Sequence, residues 1–318
     1  MATTKEWISG ARLRTLPAAI APVIVGTALA APKPVWSNAL FALLVALSLQ
    51  IGVNFSNDYS DGIRGTDTDR VGPMRLVGSG VAKPKHVLSA ALLFFSLAAV
   101  FGLILALRSS LWLIVVGLVS ILAAWGYTGG KRPYGYRALG EISVFIFFGV
   151  VAVLGTYFVQ SAKITTLSIV AAIPVGAQAC AILVLNNLRD RNKDVESGKR
   201  TLAVVMGEKG TRILFALLVI GSNVIGIATA FDKAWCALTA LLLPIALYLA
   251  ATVLKGAGGR DLIALLQRTA LFQLLFALVY EANLLLLQNR RWLLLMLYGN
   301  LTYLHQYFGV VCLCLVLL

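Results

Sequence analysis

The chain has 318 residues, of which 59% are hydrophobic and 13% charged, against roughly 25% charged in soluble domains. Its apolar runs repeatedly reach the ~18 to 20 residues that cross a bilayer, which excludes a water-soluble enzyme, a nucleic-acid-binding module and a disordered tail. The formal net charge of +14 is therefore assigned to a membrane protein, in which Lys and Arg orient the helices, and not to a nucleic-acid binder.

Apolar stretches fall at about 13 to 32, 37 to 56, 86 to 107, 111 to 128, 140 to 160, 165 to 187, 212 to 231, 235 to 254 and 262 to 287. The pattern predicts an all-α polytopic transmembrane helix bundle of about nine crossings. The first run contains Pro17, Pro22 and Gly26 and shows no small-residue cleavage site ahead of a soluble domain, so it reads as a retained helix and not a signal peptide. With the N-terminus placed inside, 21 of the 27 basic residues fall on the inner side, in clusters from Lys5 to Arg14, Arg64 to Lys85, Lys131 to Arg137, Arg189 to Arg212 and Lys255 to Arg268. That asymmetry predicts a cytoplasmic N-terminus.

Acidic residues are placed still more unevenly. Eight of thirteen (Asp58, Asp61, Asp67, Asp69, Asp190, Asp194, Glu196 and Glu208) lie in inner segments following the second and sixth stretches. The four-helix separation between two Asn-led acidic segments hints at an internal pseudo-repeat. Outer connections such as Arg108 to Ser110 are minimal, so the polar chemistry is expected on the cytoplasmic side. Cys180, Cys236, Cys312 and Cys314 lie in apolar segments without a CxxC pair and read as buried free thiols. Residues 1–287 read as one intramembrane domain; the tail 288–318, with Arg290 and Arg291 on the expected outer side, has no assigned role.

In the first acidic segment, a helical continuation makes Asn54 with Asp58, and Asn57 with Asp61, i,i+4 pairs, and sets Asp58 and Asp61 three apart on one face. Carboxylates held that close call for a cation, and hard oxygen ligands select Mg²⁺ or Ca²⁺; the alternative is a solvated loop with capping Asp and Asn. In the second segment Asn186, Asp190 and Asp194 are each four apart, which stacks an amide and two carboxylates in one stripe. Mg²⁺ takes one or two carboxylates and completes its shell with water and phosphate oxygens, so a diphosphate bridging two such stripes is the natural ligand. Arg189, Lys193, Lys199 and Arg200 are placed to meet its remaining charge, or serve only as positive-inside anchors. A third inner segment, Tyr127 to Arg137, joins Gly and Pro with Tyr127, Tyr134 and Tyr136 and with Lys131, Arg132 and Arg137; its ring faces suit a carbocation, though tyrosines are also ordinary interfacial anchors. A fourth, Gly72 to Gly80, holds Arg75 in a glycine-rich turn.

At these residues the sequence resembles the UbiA-type family of intramembrane aromatic prenyltransferases, and within it the branch that acts on 1,4-dihydroxy-2-naphthoate. The matching text is Asn57-Asp-Tyr-Ser-Asp61 with Gly65-Thr-Asp67, Gly72-Pro-Met-Arg-Leu-Val77, Tyr127-Thr-Gly-Gly130 with Pro133-Tyr-Gly-Tyr-Arg137, and Asn186-Asn-Leu-Arg-Asp190 to Asp194 followed by Gly198-Lys-Arg-Thr-Leu202. It extends in order from the N-terminus to about Leu287. Where the wider family often has a third aspartate four residues after Asp61, this chain has Gly65, and Asp67 or Asp69 is left to complete that metal site.

The resemblance implies an Mg²⁺-dependent transferase of the bacterial cytoplasmic membrane, with its active site toward the cytoplasm. It would move a polyprenyl group from polyprenyl diphosphate to the carbon of the naphthoate that bears the carboxylate, with loss of carbon dioxide, giving demethylmenaquinol. It implies Asp58, Asp61, Asp67, Asp190 and Asp194 as metal ligands. Asn54, Asn57, Arg75, Lys131, Arg137, Asn186, Arg189, Lys193, Lys199 and Arg200 would be substrate contacts, and Tyr127 and Tyr134 would surround the allylic cation. One of Arg75 and Arg137 is expected to engage the aromatic carboxylate, and the lipid tail to leave the bundle sideways into the membrane. Another aromatic acceptor such as 4-hydroxybenzoate is the near alternative. A secondary transporter would place ionisable groups at mid-membrane on several helices, where this chain has Glu281 as its main example; a purely structural membrane protein gives no reason for two Asn–Asp stripes. The partners are the prenyl donor, a small aromatic acid and membrane lipid, with no nucleic acid and no readable protein partner.

Overall fold

Peptide groups in hydrocarbon have no water to bond, so apolar runs of this length satisfy their backbone as helices. The computed structural model describes residues 2–65, 74–229 and 237–288. Among these no strand forms, and an isolated parallel bridge pairs Arg137 with Arg200. Helix α1 (Thr4–Ala11) opens on a capping box between Thr3 and Glu6 and closes at Arg12, which is left-handed at φ 54°. A short turn leads into α2 (Pro17–Leu29), where Pro17 takes a first-turn position that needs no donor; the two helical pieces meet at 48°. There follow α3 (Trp36–Ile63), α4 (Pro84–Arg108), α5 (Leu113–Gly126), α6 (Gly140–Ser161), α7 (Thr166–Glu196), α8 (Leu202–Ala228), α9 (Leu243–Leu254) and α10 (Asp261–Gln288).

Among the described residues, α3, α4, α6, α7, α8 and α10 are long and apolar enough to cross a membrane. The bent pair ending in α2 adds a seventh, while α5 and the region of α9 are shorter apolar helices. Two boundaries matter for function. Helix α3 runs to Ile63 and α7 to Glu196, well past the apolar stretches predicted for them, so both Asn–Asp segments are helical continuations.

The interior is built from small residues, because helices in lipid associate by close packing and not by expelling water. A Cβ on Gly149 of α6 would lie 2.5 Å from the Cα of Gly176 in α7, and one on Gly26 of α2 would lie 2.6 Å from Cβ of Thr156 in α6. Phe215, Phe272, Phe276 and Tyr280 fill the core between these close approaches, while other large apolar side chains face outward, among them Leu93, Leu103 and Leu107 of α4 and Val115, Leu118 and Leu122 of α5. At one end of the bundle the connections are short and tied together: Asn38 donates to Val159 O at 2.6 Å, Val35 N to Gln160 Oε1 at 3.1 Å and Arg108 to Ser37 Oγ at 2.8 Å. The long polar connections gather at the other end.

Cys180 is a buried free thiol, whereas Cys236, Cys312, Cys314 and the segment from 289 onward lie outside the described residues. Because the Gly149 contact is with backbone that cannot yield, Gly149→Val is expected to cost about 1 to 3 kcal/mol by overpacking. A lowered thermal midpoint in detergent, with Gly155→Ala as a control where no atom lies within 4 Å of the new Cβ, checks this.

Candidate active site

Three polar connections meet at Asp61. Its carboxylate, 4% exposed, accepts a hydrogen bond from the Tyr136 hydroxyl of the α5–α6 connection and lies 3.3 Å from Lys199 Nζ, just beyond α7. Arg75, from the connection before α4, stands 3.6 Å away. A charge this buried persists only when paired and hydrogen-bonded, so Asp61 holds the three connections as firmly as they hold it. Around this centre, Thr128 donates to Asn57 Oδ1 at 2.7 Å, and Arg64 donates to the carbonyls of Thr128 and Gly130. The Arg200 amide donates to Tyr136 O at 3.0 Å. Tyr136 also offers its ring to Lys199 Nζ at 4.6 Å and to the Arg64 guanidinium at 5.5 Å.

Asp61, Asp190 and Asp194 line one cavity of about 380 Å³, together with Asn54, Asn57, Asn186, Arg75, Lys193 and Lys199. The second acidic stripe is as firmly held as the first. Arg189 forks onto Asp190 with two 2.8 Å bonds and reaches Asn186 Oδ1 at 2.8 Å, while Asp194 accepts from Thr201 Oγ1 at 3.3 Å. Away from this charged end the walls are apolar, formed by Ala18 and Val23 of α2, Ala42 and Ala46 of α3, Leu105 of α4, Val116 of α5, and Phe147, Phe148 and Val151 of α6. Part of that α6 wall, Phe145–Val151, is π-helical, a form that recurs at functional sites. Helices α5 and α6 both line the cavity, yet α5 packs on α3 and α4 and hardly on α6. They meet at their ends, through Trp112 against Phe158 at 5.3 Å and through the Tyr134 hydroxyl, which donates to Ala123 O at 2.7 Å and pairs with Ser143 Oγ at 2.8 Å.

Tyr127 and Tyr134 meet edge to face at 5.6 Å on the cavity wall. The Tyr127 ring leaves no room for side chains beside it. A Cβ on Gly135 would come 2.6 Å from Tyr127 O and 3.2 Å from its ring, and one on Gly140 would come 3.1 Å from its hydroxyl. Burial pushes both phenols above their ordinary range, so the rings stay neutral and keep their electron-rich faces.

Several expected contacts lie elsewhere. Asp58 does not line the cavity: its Oδ2 accepts from Leu76 N at 2.7 Å and its Oδ1 from Val77 N at 2.9 Å. Residues three apart diverge by about 60° around a helix axis, and that angle turns Asp58 onto the free amides of the turn at 76–80 while Asp61 faces inward. Asn54 is at the cavity edge, but its amide nitrogen is spent on Ala11 O at 3.0 Å and Thr15 Oγ1 at 3.1 Å, fastening the bend between α1 and α2. Lys131, Arg137 and Arg200 are exposed and outside the cavity, which matches the anchoring alternative and leaves Arg75 as the arginine of that pair that lines the site. Arg189 serves Asp190. Asp67 and Asp69 lie outside the described residues. Tyr136, named in sequence only as one of three tyrosines that suit a carbocation, instead bonds Asp61; Thr128 and Thr201 stand in the matching text without a predicted role, where the tyrosine-rich segment and the Lys199-Arg-Thr201 run carry the signal. Arg12, which also lines the cavity, carried none.

Removing Asp61 and removing Asp58 are therefore expected to differ in kind. Asp61→Ala should lower turnover by at least about a hundredfold and also lower the thermal midpoint, because the buried carboxylate shared by Arg75, Lys199 and Tyr136 is gone, whereas the loss in Asp58→Ala should be one of stability. Asp58→Ala should lower the midpoint by the loss of two amide partners, roughly 1 to 3 kcal/mol. Paired melting curves and turnover measurements separate the two.

Residues 19–272 match the UbiA prenyltransferase family. The 1,4-dihydroxy-2-naphthoate octaprenyltransferase of Mycobacterium tuberculosis (strain ATCC 25618 / H37Rv) is 50% identical over 280 residues, covering 87% of this chain and 96% of that protein. The protein of the same name from Escherichia coli (strain K12) is 41% identical over 234 residues, covering 70% of this chain and 75% of its own length. Among solved structures, a UbiA homolog from Aeropyrum pernix K1 superposes with a TM-score of 0.66 at 14% identity, over 86% of this chain and 98% of that one. One from Archaeoglobus fulgidus, bound to DMAPP and Mg²⁺, superposes with a TM-score of 0.65 at 14% identity, over 88% and 99%. At that identity the likeness is one of fold.

Proposed function

The chain belongs to the UbiA prenyltransferase family, and from that premise we propose that it transfers a polyprenyl group from polyprenyl diphosphate to 1,4-dihydroxy-2-naphthoate, releasing carbon dioxide and yielding demethylmenaquinol. The observation that carries this reading is the meeting of Asp61 with Asp190 and Asp194, and with Arg75, Lys193 and Lys199, at the charged end of an otherwise apolar cavity. The relatives named for this reaction support the acceptor. Nine crossings, a cytoplasmic N-terminus and a prenyltransferase domain spanning 1–287 are part of the same reading, supported by the basic clusters at the loop-rich end.

Mg²⁺ fits the donor set. Among the described residues no group of three or more His, Cys, Asp or Glu side chains is placed to hold a metal ion by itself. The open set of hard oxygens on Asp61, Asp190, Asp194, Asn57 and Asn186 suits an ion that keeps places for water and phosphate oxygens; Asp67 belongs to the same proposal. When bound, the metal offsets the charge that develops on the departing diphosphate. Lys193 and Lys199 bind the remaining phosphate oxygens, with Lys199 held in place by Asp61 and the Tyr136 ring. Tyr127 and Tyr134 present neutral ring faces to the electron-poor allylic carbon, and the apolar walls keep water from it. Arg75 orients the acceptor carboxylate.

The prenyl tail is too apolar for the charged end and follows the apolar walls. The sparse packing between α5 and α6 supports a sideways exit into lipid between them. At Gly117 of α5, on the cavity wall, no atom lies within 4 Å of a built Cβ.

Purified protein in detergent, labelled prenyl diphosphate and a panel of aromatic acids test the assignment. Turnover is expected with the dihydroxynaphthoate and its loss in excess chelator; turnover indifferent to chelator, or confined to 4-hydroxybenzoate, overturns it. For the tail, Gly117→Phe is expected to cut turnover of a long-chain donor about tenfold or more while sparing a short-chain donor. Equal effects on both donors would place the tail elsewhere.

A further inference from the structure

A buried pair at the α6–α7 crossing has no part in the chemistry above. Glu141, in the first turn of α6, and Asn187 of α7 are 8% and 7% exposed, and Asn187 Nδ2 donates to Glu141 Oε1 at 2.9 Å. Asn187 lines the cavity beside Tyr127 and Tyr134; Glu141 stands behind it. We propose that Asn187 accepts a hydrogen bond from a ring hydroxyl of the aromatic acceptor, and that Glu141 is the positioning residue that turns it to do so. The inference rests on the prenyl-transfer reading and names how that site selects its acceptor.

An amide side chain has a donor end and an acceptor end, and a carboxylate can only receive. Glu141 therefore takes one N–H of Asn187 and fixes the amide with its Oδ1 turned away from Glu141. Glu141 also stands in the first turn of α6, where a carboxylate suits the helix N-terminus. Its Oε2 is nevertheless buried with no hydrogen-bond partner, a cost that its hold on Asn187 helps to explain.

The surroundings fit a flat hydroxylated ring. Tyr127, wedged against Gly135 and against Gly140, the residue before Glu141, forms with Tyr134 an aromatic wall next to Asn187. A ring lying against that wall turns one edge toward α7, where an acceptor oxygen welcomes a hydroxyl and repels a carboxylate. The carboxylate edge is left to Arg75, on the side of α3.

The test uses the full chain in detergent with one prenyl donor and three acceptors, the dihydroxynaphthoate and its two monomethyl ethers. For wild type, the free hydroxyl is favoured. In Glu141→Leu the acceptor that fixes the amide is gone and Asn187 is free to turn its NH₂ to the cavity. The preference for hydroxyl over methoxy should then fall roughly tenfold, with the donor KM unchanged. Asn187→Leu should raise the KM for the dihydroxy acceptor roughly tenfold and leave that for the relevant methyl ether unaltered. Should Asn187→Leu not survive purification, Glu141→Leu alone decides. Wild-type discrimination retained in Glu141→Leu, or equal losses on every acceptor and on the donor, overturns the inference. An inactive wild type would instead overturn the prenyl-transfer reading.

Discussion

A single buried carboxylate organises the polar end of this protein. Asp61 sits on the last turn of α3 with almost no access to water. Its charge is balanced by Arg75 from one connection, Lys199 from another and the Tyr136 hydroxyl from a third. In a bundle whose helices gain little from burying apolar surface against lipid, such a centre gives the connections a reason to converge. The same convergence brings the second acidic stripe to the same cavity, because Lys199 and Thr201 immediately follow α7 and hold Asp61 and Asp194 from one short segment.

Charge is confined to one end of the cavity and apolar surface to the rest, and this division suits a substrate that is itself so divided. A diphosphate needs cations and metal ligands; a polyprenyl tail needs hydrocarbon. The π-helical stretch of α6, the glycines on the walls and the loose meeting of α5 with α6 shape the apolar part without adding a polar group. Cation–π geometry divides the tyrosines: Tyr136 faces Lys199 and Arg64, while Tyr127 and Tyr134 are wedged on the wall next to α6 and α7, clear of those cations. One segment thereby supplies a tether for the charged end and an aromatic surface for the reacting carbon.

The two carboxylates at positions 58 and 61 show how unlike neighbouring residues become. Both are buried acids on one helix face, yet Asp58 closes the amides of a turn and Asp61 looks into the site. Asn54 and Arg189, equally polar and equally close to the motifs, act through the residues they hold: Asn54 fastens the α1–α2 bend that carries Arg12, and Arg189 fixes Asp190. The exposed cations Lys131, Arg137 and Arg200 are left with the interface.

Most of the architecture was legible in the chain itself, since the bilayer sets helix length and every apolar run of ~20 residues declares itself. The acidic stripes, their helical spacing and the tyrosine–glycine segment were legible for a similar reason: charges and glycines are scarce here and stand out. What the sequence determined was therefore which elements exist, which end carries the chemistry and which residue types are available for it. The tertiary structure decided which member of each polar run faces the cavity, that Tyr136 and Lys199 join Asp61, that Glu141 stands behind Asn187, and that α5 stays apart from α6. Those outcomes depend on rotation about helix axes and on contacts between residues far apart in sequence, such as Asp61 with Lys199, and linear spacing carries no record of either.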